Sequence, residues 1–150
     1  MIWFKYPISN IQELVYKAGL KPMRTHSRCK NWTRYESGTL IPRDDFFLLA
    51  FTKLTEAGRG EMTYDEYLDS LNLLWREIDK YHGDKAVCVS ILGSGLTKMD
   101  DKSLDQQKLL DVMIKSYQLS PYRMKKPYRL YVICRRREGF GLDKIEALQK

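Results

Sequence analysis

The chain has 150 residues, enough for one domain with a core that needs neither disulfide nor metal, and its 43% hydrophobic and 12% aromatic content excludes wholesale disorder. Lys and Arg total 26 against 19 Asp and Glu, a net charge of +7 that favours anionic partners without choosing between nucleotides, nucleic acid and acidic surfaces. Cys29, Cys88 and Cys134 are an odd number without CxxC or metal spacing, which excludes a secreted disulfide framework and points to a reducing, cytoplasmic setting. No apolar run nears the ~20 residues of a membrane span, and MIWFKYP does not open as a signal peptide.

In chain order, Ser9 is placed to cap a short helix ending near Gly19, and residues 20–34 carry five Lys or Arg besides His26 and Cys29. Gly38–Pro42 reads as a short strand forming a hairpin with 46–53, an apolar run of buried-strand length. Residues 54–62 hold two glycines and read as a loop. Thr63 with Glu66 is a capping-box signature. Tyr64, Tyr67, Leu68, Leu71, Leu74, Trp75 and Ile78 follow at helical spacing up to Gly83. Residues 85–92 are almost continuously apolar, as in a strand covered on both faces. Ser103 with Gln106 gives a second capping-box signature, for a helix that runs to about Leu119 before Pro121. A third strand is predicted over 128–134 and a last short helix over 142–149.

This alternation predicts an α/β fold with parallel strands and helices packed on the sheet. Ligands of such sheets bind beyond the carboxyl ends of the strands. Loops 54–62, 93–102 and 135–141 leave those ends, and they carry the pairs Gly58/Gly60, Gly93/Gly95 and Gly139/Gly141. The sharpest local feature is Leu92-Gly93-Ser94-Gly95-Leu96-Thr97, directly after a predicted buried strand. Glycines let the backbone turn tightly with its N–H groups exposed, and successive N–H groups make a nest for phosphate. Ser94 and Thr97 add hydroxyls and Lys98 adds charge. No Gly-Lys-Ser/Thr follows, so it is not a Walker A loop, and the third glycine of a dinucleotide GxGxxG is missing. Pattern alone leaves a plain strand-to-helix turn open beside the phosphate loop.

The stretch Val89–Thr97 resembles the phosphate-binding loop of macro domains, where a strand ends in Leu-Gly-Ser/Thr-Gly. Phe46–Tyr81, Gln107–Leu110 and Pro127–Ile133 are similar to the bacterial macro domains of Thoeris-type antiphage effectors. The likeness covers about residues 37–134 as a macro-like core, with 1–36 an atypical N-terminal segment and 135–150 a basic C-terminal one. The resemblance implies a three-layer α/β/α module with a mostly parallel sheet. It also implies binding of ADP-ribose or a related NAD-derived signalling nucleotide in bacterial or phage defence. Carried onto this chain, the loop around the diphosphate and distal ribose is Leu92, Gly93, Ser94, Gly95, Leu96, Thr97 and Lys98. Phe51 and Thr52 would lie beside the pocket and Arg135 near the nucleotide. The acidic adenine contact and Asn-rich loop of macro domains have no counterpart before residue 37. That leaves three candidates to complete the fold: residues 1–36, a partner chain, or a second copy of this one as a homodimer.

No base or nucleophile is placed for catalysis, so the expectation is binding first, with a hydrolase of ADP-ribose conjugates as the weaker alternative, and with no metal and no cofactor beyond the ligand. His82 reads as a helix-end residue, and Cys88 and Cys134 as buried small hydrophobes. Asp100 and Asp101 read as helix-start acids. Arg135–Arg137 suits either a phosphate grip or a solvated charge run. A rival reading assigns nucleic-acid binding to Lys21, Arg24, Arg28, Lys30 and Arg34 with Trp32 and Tyr35, since cations hold phosphates and aromatics stack on bases. Another takes the domain as a degenerate module for protein contact. Neither involves a membrane.

Overall fold

The computed structural model describes residues 36–43, 45–54, 60–93, 98–99, 105–136 and 140–148. Strands β1 (Leu40–Arg43) and β2 (Phe46–Leu49) form the expected antiparallel hairpin, with Leu40 opposite Leu49 and Arg43 opposite Phe46. Pro42 sits in β1 without a ladder donor, which its place at the edge of this two-stranded pair permits. The predicted strand 46–53 is shorter in the structure. Ala50 still exchanges backbone bonds with Gly38 and Thr39, but Phe51 and Thr52 then leave the pairing.

A separate strand β3 (Lys53–Leu54) pairs antiparallel with β4 (Gly60–Met62). Strand β4 in turn pairs parallel with β6 (Lys98–Met99). The predicted loops 54–62 and 93–102 therefore each hold a short strand. Runs of two or three residues have no periodicity to read, and their pairing comes from segments distant in sequence.

Helix α1 (Tyr64–Tyr81) begins as predicted. Thr63 Oγ1 accepts the Glu66 N–H at 3.1 Å, and Glu66 Oε2 accepts the Thr63 N–H at 2.9 Å. His82 caps the far end, its N–H donating to Ile78 O and its Nδ1 accepting the Asp84 N–H at 3.1 Å. Helix α2 (Gln106–Leu119) ends as expected, but Asp105 is its cap, accepting the Lys108 N–H at 2.8 Å. Asp is as good an N-cap as Ser and adds a charge that suits the helix N-terminus. Ser103, the predicted cap, lies outside the described residues, as do Asp100 and Asp101. At the other end Ser120 is extended, the conformation that a following proline imposes.

Strands β5 (Val87–Ser90) and β7 (Leu130–Ile133) pair in parallel, Val87 beside Leu130 and Ser90 beside Ile133. Val87 and Ile91 join Leu71, Leu74 and Ile78 of α1 and Leu109, Leu110 and Met113 of α2 in one buried cluster. The fold is α/β with parallel ladders, and α1 and α2 pack against each other in the core that covers this face. On the opposite face Cys88, Tyr131 and Ile133 are exposed. Among the described residues, the expectation of a buried Cys88 and of a strand covered on both faces therefore fails. In a strand, side chains alternate between faces, and Cys88 falls with Tyr131 on the side away from the helices. Past β7, Phe140 packs against the core, Ile145 is fully buried between two 3-10 turns, and Glu146 bonds Lys115 of α2 at 3.0 Å.

Candidate functional site

The parallel β5–β7 pair gives the sheet a carboxyl edge, and two candidate segments leave from it. Leu92 and Gly93 follow β5, while Cys134 and Arg135 follow β7. Gly93 has φ +85, in the left-handed region that favours glycine, so the residue type at this turn follows from the backbone. Arg135 is exposed beyond β7. Cys134 is half-buried, and burial pushes its thiol pKa up, the opposite of an activated nucleophile. Lys98 stands in β6 beside Glu61 of β4. Ser94, Gly95, Leu96 and Thr97 lie outside the described residues, as does the basic stretch 21–35.

What joins the candidates is Tyr67, a residue the helical pattern presents only as one more position on the apolar face of α1. It is completely buried. Its hydroxyl donates to Leu92 O at 2.9 Å, and its ring meets Phe51 edge-on with centroids 5.9 Å apart. The segment after β2 and the glycine turn after β5 are thus brought together through one side chain of α1. From the other helix, Met113 Sδ accepts the Leu92 N–H at 3.4 Å. Leu92 itself is half-buried, as are Phe51 and Thr52. The signal for Tyr67 was available: a tyrosine buried on the apolar stripe of a helix needs a partner for its hydroxyl. Nothing in the sequence names Leu92 as that partner. A separate groove of about 440 Å³ lies elsewhere, between Leu68 and Asn72 of α1 and the segment from Ser116 to Tyr122.

Burial, with a smaller contribution from the nearby Tyr64 phenol, drives the Tyr67 pKa well above its ordinary value of 10.0. The neutral phenol, the form that donates to Leu92, is therefore the one folding favours. Its contribution is complete below pH 10.0 and is lost as pH climbs from there towards the raised folded-state value, by about 1.4 kcal/mol per pH unit. Urea unfolding followed from neutral pH upward is expected to show this alkaline loss in the wild-type chain and a shallower one in Tyr67→Phe. Parallel curves for the two would show that this phenol does not titrate with unfolding.

Comparison with known proteins decides the family. The family model described as the macro domain of the Thoeris protein ThsA matches residues 4–135. The chain belongs to the ThsA macro-domain family. A Thoeris protein ThsA from Bacillus amyloliquefaciens (strain Y2) is 32% identical over 101 residues, which is 67% of this chain and 34% of that protein. The chain thus spans about a third of that relative's length. The family match also takes in residues 4–36, where the resemblance read from short motifs stopped at residue 37. Within the macro-domain frame, the turn at Leu92–Gly93 is the one the motif pointed to, at the carboxyl end of a parallel strand. Among the described residues no helix is long and apolar enough to cross a membrane.

Proposed function

We propose that this macro domain binds ADP-ribose or a related NAD-derived signalling nucleotide, and that it serves in bacterial defence against phage. The observation that carries the reading is the left-handed turn at Gly93, where the chain leaves β5 beside the parallel strand β7. That edge of an α/β sheet is where ligands bind, and a glycine-rich turn there offers backbone N–H groups to phosphate. Gly93, Ser94, Gly95, Leu96 and Thr97 hold the diphosphate and distal ribose in this reading. Leu92 and Lys98 flank them, Phe51 and Thr52 form the pocket wall, and Arg135 supplies positive field. In this reading the mechanism is binding. Family membership supports the reading, since the matched relative is named for the Thoeris system.

Thermal unfolding in the presence of ADP-ribose and its cyclic and amino-acid-linked relatives tests this. A ligand at 100 times its dissociation constant adds about 2.7 kcal/mol of stability. The expected result is a clear rise in Tm with at least one of them, and none with Gly95→Val, which blocks close approach of the loop backbone. No shift with any of them, or an undiminished shift in the variant, overturns the loop assignment.

A further inference from the structure

Strand β5 ends at Ser90, so the backbone groups of Leu92 have no ladder partner. They are met instead by two side chains from two helices. Tyr67 of α1 donates to the carbonyl at 2.9 Å, and Met113 of α2 accepts the N–H at 3.4 Å. Tyr67 and Met113 are both buried in the core, and the Tyr67 ring is braced by Phe51. Peptide planarity turns this into a statement about the loop. In a trans peptide the Leu92 C=O and the Gly93 N–H lie in one plane and point in opposite directions. Holding the carbonyl against the Tyr67 hydroxyl therefore aims the Gly93 N–H away from α1. That N–H is the first donor of the glycine turn, and the φ of +85 at Gly93 starts the change of direction that follows.

We infer that Tyr67 and Met113 are positioning residues of the ligand loop: they hold Leu92 by its carbonyl and by its N–H and so set the aim of the Gly93 N–H toward the ligand's phosphate. The inference rests on the reading of 92–97 as that loop. It adds a role the helical stripe conceals, because two core residues then govern affinity without touching the ligand. Preorganised donors bind an anion without the cost of ordering the loop, so losing the grip weakens binding in a fully folded protein.

The test is calorimetric titration of ADP-ribose, well below the melting temperature, into the wild-type chain, Tyr67→Phe, Met113→Leu and their combination. Ile78→Val serves as a control that thins the same core without reaching Leu92. Tyr67→Phe keeps the ring and loses one hydrogen bond, and it is expected to weaken binding about tenfold. Met113→Leu is expected to weaken it roughly threefold, because sulfur is the poorer acceptor. The double variant should lose less than the product of the two, since both hold one residue. Ile78→Val should melt earlier yet bind as the wild type does. Amide exchange at Leu92, whose N–H is bonded to Met113, should quicken without ligand in Met113→Leu and not in Ile78→Val.

Wild-type affinity in Tyr67→Phe, or an equal loss in Ile78→Val, overturns the positioning role while leaving the loop assignment intact. A wild-type chain that takes up neither ADP-ribose nor its cyclic and amino-acid-linked relatives, titrated in the same way, removes the proposed function, and with it the positioning role. The two failures are thus distinguishable.

Discussion

Truncating Trp75 to Ala is expected to destabilise the domain by about 4 kcal/mol, the range for removing a buried large aromatic. Trp75 is almost wholly buried at the contact between α1 and α2. Its indole N–H donates to Ser116 Oγ at 2.9 Å, and that hydroxyl donates to Met113 O at 2.9 Å. Its ring meets Tyr117 edge-on, with centroids 5.2 Å apart. The truncation opens a cavity and removes the donor to Ser116 in the same step. At roughly 2–4 °C per kcal/mol for a chain of this size, Tm should fall by about 10 °C or more. Trp75→Phe retains much of the volume and loses the N–H, so a smaller cost of roughly 1–2 kcal/mol is expected. Circular dichroism during urea unfolding reads both. A loss under about 1 kcal/mol for Trp75→Ala would mean that the helix pair is not the centre of the core. The network ends at Met113, whose sulfur meets Leu92, so the variant should also lower affinity for any ligand of the glycine turn.

The helices were legible because their signals are local. Thr63 and Glu66 are three residues apart, and the box they form depends on no other part of the chain. Strand ends were less so. Strand β2 stops at Leu49 because its partner strand begins at Leu40; after the bonds of Ala50 to Gly38 and Thr39 the pairing ends, a tertiary event invisible in the apolar run 46–53. At the start of α2 the local signature pointed to the wrong residue. Ser103 with Gln106 has the better signature, yet Asp105 is the residue placed at the helix end. Burial of Cys88 was misread for a similar reason. A continuous apolar run says that a strand is mostly inside, but not that each of its faces is covered.

For the site, the glycine of the turn could be read because a glycine directly after an apolar strand has few other uses, and Gly93 adopts the left-handed φ that this implies. The loop's neighbours could not be read. The partner of the Tyr67 hydroxyl is 25 residues away and is a backbone carbonyl, which has no letter in the sequence. Met113 meets an N–H 21 residues away. Both occupy helical positions where Leu would satisfy the hydrophobic pattern equally well. Periodicity thus locates a core residue without saying which polar task it performs there.

Replacing Gly38 by Ala is the second change expected to be severe, at roughly 3 kcal/mol, from left-handed backbone strain and overpacking together. Gly38 has φ +102, which L side chains rarely adopt. A Cβ there would run into the backbone carbonyl oxygen of Ser70 and come within 2.9 Å of Leu73 Cβ. The first of these is backbone inside α1 and cannot swing away. Relief requires either the helix or the strand entry to move, and both lead to the site. Gly38 N–H donates to Ala50 O at 2.7 Å, directly before Phe51, while Ser70 lies one helical turn from Tyr67. Gly83 supplies the internal comparison. Its φ is +56, but the nearest atom to an added Cβ is Tyr81 O at 3.9 Å, so Gly83→Ala should carry the backbone strain alone, about 1 kcal/mol. The difference between the two variants, read from urea midpoints at an unchanged slope, measures the collision between strand entry and helix. Equal losses would show that α1 has room to yield at Ser70. A larger loss in Gly38→Ala, joined by weaker binding than in Gly83→Ala, would show that the contact between strand entry and α1 holds the Phe51 and Tyr67 side of the ligand loop in place.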